Sequence, residues 1–161
     1  MDESPESTWP SVKVAYDFVL PSYSLLVSRF EAADTRLTTL LTFAATITLG
    51  TPILGRSIHP AIPFASGWFI AAMCLFMLSV TVGLIARVCG TLTLPNPAVI
   101  YRESLHETEW SFRKNAVYFA GQHFNSNAEA VRTKGNLAVV AAALMIVEIV
   151  SLLLWVAQAS Q

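Results

Sequence analysis

Charge is what this sequence has least of. Ten Lys and Arg and eleven Asp and Glu are spread over 161 residues, 13% in all, against 54% apolar residues. That is about half the charged share of an ordinary soluble domain. So little polar surface cannot coat a water-soluble globule, so part of the chain is expected to face lipid. The net charge of −1 and the lack of a basic stripe exclude nucleic acid as a main partner. Cysteine is nearly absent. Cys74 and Cys89 are too few for a disulfide framework and read as free thiols. Catalytic patterns are missing as well. No HExxH, GxSxG, GxGxxG or Walker sequence occurs and the two cysteines form no CxxC, so no enzyme is expected. The polar stretch holding Arg102, Glu103, His106, Glu107 and Glu109 lacks the spacing of any particular chemistry and reads as a solvated connector. The opening MDESPESTWP is acidic, without the positive start of a cleavable signal, so none is expected.

What is present is a set of three apolar runs, in a chain of the length of one domain. They cover 37–54, 68–86 and 137–157, the last broken by Glu148. Each is near the ~20 residues that a bilayer-crossing helix needs. The expected fold is therefore an all-α membrane protein with three transmembrane helices. Lys and Arg set the orientation. Lys13, Arg29 and Arg36 precede the first span, and Arg56 alone lies in the first connection. Six such residues lie in 87–136 and none after the last span. The N-terminus and residues 87–136 are expected in the cytoplasm and the tail outside.

The resulting organisation is a disordered 1–11, a cytoplasmic amphipathic helix 12–36, and the first span 37–54. An external loop 55–67 leads to the second span 68–86. A cytoplasmic loop 87–109, a cytoplasmic amphipathic helix 110–136, the third span 137–157 and an external tail 158–161 complete it. Pro60 and Pro63 make the external loop a tight turn joining an antiparallel pair. His59 in that loop has no second ligand nearby and reads as a solvated histidine.

Val12, Tyr16, Val19, Tyr23, Leu26, Phe30, Ala33, Leu37, Leu40, Ala44 and Ile47 alternate four and three residues apart. This is the 3.5-residue seam of packed, slightly supercoiled helices. It begins before the first span and runs into it, predicting one helical rod. Pro21 is expected to kink or split that rod near 17–21, and Gly50 and Pro52 to interrupt it. In the second cytoplasmic segment Pro95, Asn96 and Pro97 signal a turn. Trp110, Val117, Phe124 and Val131 then recur every seven residues, with Ala120 and Ala128 between, forming a second apolar stripe. The two stripes are expected to pack on each other, as each needs a partner to bury its face. The polar faces are not basic enough to favour lying on the membrane surface.

Two groups of residues stand out. Asp34 and Arg36 sit at the cytoplasmic edge of the first span, about 200° apart on the helix, so they do not pair with each other. Arg132 and Lys134 sit at the same edge of the third span. Asp34 is expected to meet Lys134 or Arg132, a contact that would fix helix register at a hinge; otherwise Arg36 snorkels and Asp34 stays wet. Glu148 falls about eleven residues into the third span, near mid-bilayer, where a carboxylate costs several kcal/mol unless protonated, hydrated or paired. It reads either as a pore-lining, proton-linked or oligomer-contact residue, or as a neutral acid hydrogen-bonded to Thr46 or Thr48.

The stretches AADTRLTTLLTFAATI (32–47) and QHFNSNAEAVRTKGNLAVV (122–140) resemble the transmembrane effector domain of bacterial Pycsar anti-phage systems, over roughly 12–157. Arg36 stands where that family usually has lysine, and Lys134 stands as the basic opener of the last span. The resemblance implies a non-enzymatic effector of the bacterial inner membrane, a multi-pass protein and homo-oligomer in the lipid bilayer. A cyclic pyrimidine nucleotide is implied as activator, with no other cofactor or metal, and membrane disruption as the outcome. The family's cyclic-nucleotide-binding cassette is missing here, so no residue is assigned to nucleotide. Two other functions fit the residues: a small accessory subunit of a larger membrane complex, and a channel or proton-linked carrier using Glu148.

Overall fold

A computed structural model describes residues 8–58, 60 and 63–158. The expected disordered start, His59 and the external tail lie wholly or mostly outside these residues. Among the described residues the main helices are, in order, α1 (Val12–Ile58), α2 (Gly67–Val88), the single turn α3 (Pro97–Val99) and α4 (Glu109–Gln158). A π-helical turn, Ile100–Ser104, follows α3 directly. α1, α2 and α4 are long and apolar enough to cross a membrane, the mark of a multi-pass membrane protein in contact with lipid.

The chain divides into two compact units. One joins the residues up to Glu31 with Thr91–Val131; the other joins Ala32–Gly90 with the residues from Arg132 onward. α1 and α4 each contribute to both.

α1 runs unbroken through Pro21, Gly50 and Pro52, so the rod is neither split near 17–21 nor ended at Gly50 and Pro52. Pro21 costs the helix one bond, to the carbonyl of Asp17 four residues back, and the helix continues past it. Around Gly50 and Pro52 the flanking Leu49, Ile53 and Leu54 are exposed. Apolar surroundings offer a backbone no water to bond with, so leaving the helix there would strand its polar groups. The helix accordingly runs four residues beyond the expected end of the first span. The loop expected over 87–109 also holds structure. Asn96 caps α3 by accepting from Ala98 N at 2.9 Å with Pro97 at the first helical position. Gly90 adopts φ 86°, a left-handed conformation that favours glycine, just past the end of α2. Thr108 caps α4 by accepting from Ser111 N at 3.2 Å.

In the unit of Ala32–Gly90 and the residues from Arg132 onward, α1 and α2 run antiparallel. Leu37, Ala86 and Ala138 form the buried centre, and Leu41 lies over Gly83. A Cβ at Gly83 would stand 2.8 Å from Leu41 Cδ2 and 3.2 Å from its Cγ, so the whole isobutyl group rests on the glycine. Gly83→Ala gains ~1 kcal/mol of helix propensity but overpacks by ~1–3 kcal/mol. A net loss of about 1 kcal/mol is expected in a detergent melt. In a Leu41→Ala background the clash is gone, and the same substitution should stabilise.

At the far end of this unit Trp155 is fully buried and donates from Nε1 to Pro63 O at 3.0 Å. Phe64 and Phe69 pack on it with centroids 5.8 and 4.9 Å away, and Arg56 lies over the Phe64 ring. Gly55 lets the indole approach, since a Cβ there would meet Trp155 Cζ3 at 3.2 Å.

The seam of α1 is seen as read: Leu26, Ala33, Leu37 and Ala44 are buried and its other members half-buried. The stripe of α4 is seen in its larger part: Ala120 is buried, and Trp110, Val117, Ala128 and Val131 are half-buried. Phe124 is 39% exposed, and the polar Asn127 is buried beside the stripe.

Candidate functional site

Seven residues return a straight helix to nearly the same face. Starting from Asn127, steps of seven along α4 reach Lys134, Ala141, Glu148 and Trp155. All five are buried, at 0–2% exposure. Three of them are polar, and each finds a partner on α1.

Lys134 is the ion-pair rung. Its ammonium lies 2.6 Å from Asp34 Oδ1, with the lysine side chain 1% and the aspartate side chain 40% exposed. The oxygen has no hydrogen bond of good direction, so the link is ionic. Of the two cations that the sequence offers Asp34, the structure uses Lys134. Arg36 and Arg132 are exposed and belong to no ion pair among the described residues.

Glu148 is the hydroxyl rung, fully buried. Of the two threonines the sequence offers, the structure uses Thr48, whose hydroxyl donates to Glu148 Oε1. The same hydroxyl lies 2.8 Å from Ala44 O. A hydroxyl carries one hydrogen, so Thr48 serves one acceptor at a time unless the acid itself is protonated and donates. Oε2 of Glu148 has no partner. Thr46 instead donates back to Thr42 O at 2.9 Å on the exposed face.

This asymmetry makes a prediction. Thr48→Val removes the one hydrogen-bond partner of a dry carboxyl group and should cost ~2 kcal/mol. Glu148→Leu removes the carboxyl group altogether, while Thr48 keeps Ala44 O. It should leave the melting temperature in detergent within a few degrees of the parent, or raise it.

The third rung lies in the other unit, where Asn127 is 1% exposed. Its Oδ1 accepts from Thr93 N at 2.8 Å, and its Nδ2 donates to Thr93 O at 3.1 Å and to the Tyr23 hydroxyl at 2.7 Å. Tyr23 in turn donates to Thr93 O. The carboxamide thus grips both backbone groups of one residue in the segment after α2. Burial pushes the Tyr23 hydroxyl above its ordinary range, and the donor from Asn127 pulls partly the other way. Neither Asn127 nor Tyr23 was a sequence candidate for a site. In the first unit Arg113 also lies over the Tyr16 ring, 5.7 Å from its centroid, so α1 and α4 run in the same direction there, 16 against 113 and 23 against 127. In the second unit they do so as well, 34 against 134, 48 against 148 and 55 against 155.

These contacts hold helices in place and carry no nucleophile–base geometry. No cluster of three His, Cys, Asp or Glu able to hold a metal ion occurs among the described residues. Ser79, on α2, adds one further cross-helix bond, donating to Ala141 O at 3.1 Å. Comparison with protein-family models, with curated proteins and with solved structures gives no match.

Proposed function

We propose that this protein is a non-enzymatic membrane effector of a cyclic-nucleotide-signalled anti-phage defence, acting by disrupting the bacterial inner membrane. The observation that carries the reading is that two helices, α1 and α4, build both units and are joined by buried polar contacts in each. A signal received by the unit of residues up to Glu31 and Thr91–Val131 has two continuous helices along which to reach the spans. In this reading that unit is cytoplasmic, in keeping with the Lys and Arg count of the flanking segments. The trigger is a cyclic pyrimidine nucleotide, taken up by the protein itself or by a partner. Activation breaks the Asp34–Lys134 and Thr48–Glu148 contacts, the spans assemble with other copies, and the membrane leaks. The sequence stretches 32–47 and 122–140 support the defence assignment by resemblance.

The test is co-expression with a pyrimidine cyclase in bacteria, with entry of a membrane-impermeant dye as readout. Dye should enter only when both proteins are present. Intact membranes at high cyclic-nucleotide concentration would remove the effector reading.

A further inference from the structure

The unit of Ala32–Gly90 and the residues from Arg132 onward contains two acidic residues, Asp34 and Glu148, and five basic ones, Arg36, Arg56, Arg87, Arg132 and Lys134. The structure decides which charges cancel. Lys134 is buried and takes Asp34. Glu148 is buried fourteen residues further along α4 on Thr48. Arg56 lies at the opposite end over Phe64. Three guanidinium groups remain, Arg36, Arg87 and Arg132. All are exposed and belong to no ion pair among the described residues.

These three lie at the same end of the unit, Arg36 and Arg87 at one level and Arg132 within about two turns of it. Arg36 and Arg87 adjoin Leu37 and Ala86, which pack together with Ala138. Arg132 lies six residues, ~9 Å, before Ala138 and two residues from Lys134, whose partner Asp34 is two residues from Arg36. Each of the three long helices therefore brings one arginine outside any ion pair among the described residues to the same end of its apolar segment. A guanidinium is planar, permanently charged and fits phosphate oxygens two at a time. Three of them around a helix bundle, next to hydrocarbon, match a ring of lipid phosphates better than a single compact ligand.

We propose that Arg36, Arg87 and Arg132 form a cationic collar that binds the phosphates of anionic phospholipid headgroups. The proposal rests on the assignment of three spans and is independent of the trigger and of membrane leakage. The consumption of Asp34 by Lys134 is what leaves the collar free. Without it, the carboxylate would compete with the phosphates for Arg132.

The full-length protein in mild detergent tests this by tryptophan-monitored unfolding. Phosphatidylglycerol, phosphatidylcholine and inorganic phosphate are added separately at equal ionic strength. Phosphatidylglycerol is expected to raise the melting temperature by about 3 °C or more, and the other two to leave it unchanged. The triple variant R36Q/R87Q/R132Q should lose the response, while R56Q keeps it. If the triple variant does not fold, the three single variants replace it, each with a reduced response. An equal shift with phosphatidylcholine, an equal shift with free phosphate, or an undiminished response in the arginine variants would overturn the proposal. So would an equal loss of response in R56Q.

Discussion

Asp34→Ala should destabilise the protein by about 3 kcal/mol, and Lys134→Met by only ~1 kcal/mol, although both break the same ion pair. The difference follows from where each charge lies. Lys134 is 1% exposed. Removing Asp34 leaves the ammonium in a dry site without its carboxylate, and breaking a buried pair from one side costs ~3–5 kcal/mol. The low end applies because Asp34 is 40% exposed and already partly hydrated. The reverse deletion leaves a carboxylate that water reaches, so its cost falls in the range of surface pairs, ~0–1 kcal/mol. Methionine also keeps the length of the lysine stem and fills the same space. The double variant should therefore resemble Lys134→Met alone. A thermal melt of all four proteins in one detergent gives the coupling, expected at about 2 kcal/mol or more. Strict additivity would show that the two charges do not act as a pair.

Asn127→Leu is the second large effect, with an expected loss of ~2–4 kcal/mol. Leucine is close in size, so the loss comes from polar groups left without partners rather than from a cavity. The Thr93 N–H and the Tyr23 hydroxyl each lose a bond, and Thr93 O loses one of its two. Thr93 is exposed and Tyr23 half-buried, so water takes up part of the loss and each bond counts for ~0.5–1.5 kcal/mol. Amide exchange reads the effect locally: the Thr93 amide should exchange at least tenfold faster on the order of its lost protection. Asn127→Asp should rescue only part of this, since Oδ1 still accepts from Thr93 N while both donors are gone.

Tyr23 adds a pH signature to the same cluster. Its hydroxyl is harder to ionise in the folded protein than in the unfolded chain, where the value is about 10. The folded state thus holds its proton longer. Its contribution is whole below pH ~10 and is lost as the pH rises from there through the folded value. Tyr23→Phe should flatten the alkaline loss of stability in this window and leave the neutral region with a fixed deficit of ~1 kcal/mol from the missing hydroxyl bonds.

Much of this architecture was legible because its signals are local. Long apolar runs and a 4–3 alternation of apolar residues need no partner to be read, so the three spans and the seam of α1 are visible in the sequence. Asp34 was legible for a related reason. A carboxylate at the start of an apolar run needs a cation, and the last span offers two at its edge. What the sequence could not choose was between near-equivalent partners, Lys134 or Arg132 and Thr46 or Thr48. That choice depends on the phase of α1 against α4 to within one residue. Asn127 was illegible for a different reason. Counting apolar residues passes over a polar one at a buried position. The spacing of seven to Lys134, and of twenty-one to Glu148, was the available signal. Its partner is a backbone peptide thirty-four residues away, and a backbone has no signature in sequence. The persistence of α1 through Pro52 was likewise hidden, since proline reads as a breaker wherever water can take the freed carbonyl.

The ion-pair and hydroxyl rungs stand fourteen residues apart on both helices, 34 to 48 on α1 and 134 to 148 on α4. Equal intervals leave no slack. One residue inserted between the rungs of either helix would rotate everything beyond it by about 100° and separate one pair. Related chains should therefore carry these two intervals at matching lengths, with any insertion in one helix answered in the other. The segment between α2 and α4 is free to lengthen or shorten wherever the grip on Thr93 is kept. Sequence drift in this protein is constrained by the agreement of two distances more than by the identity of the residues at their ends.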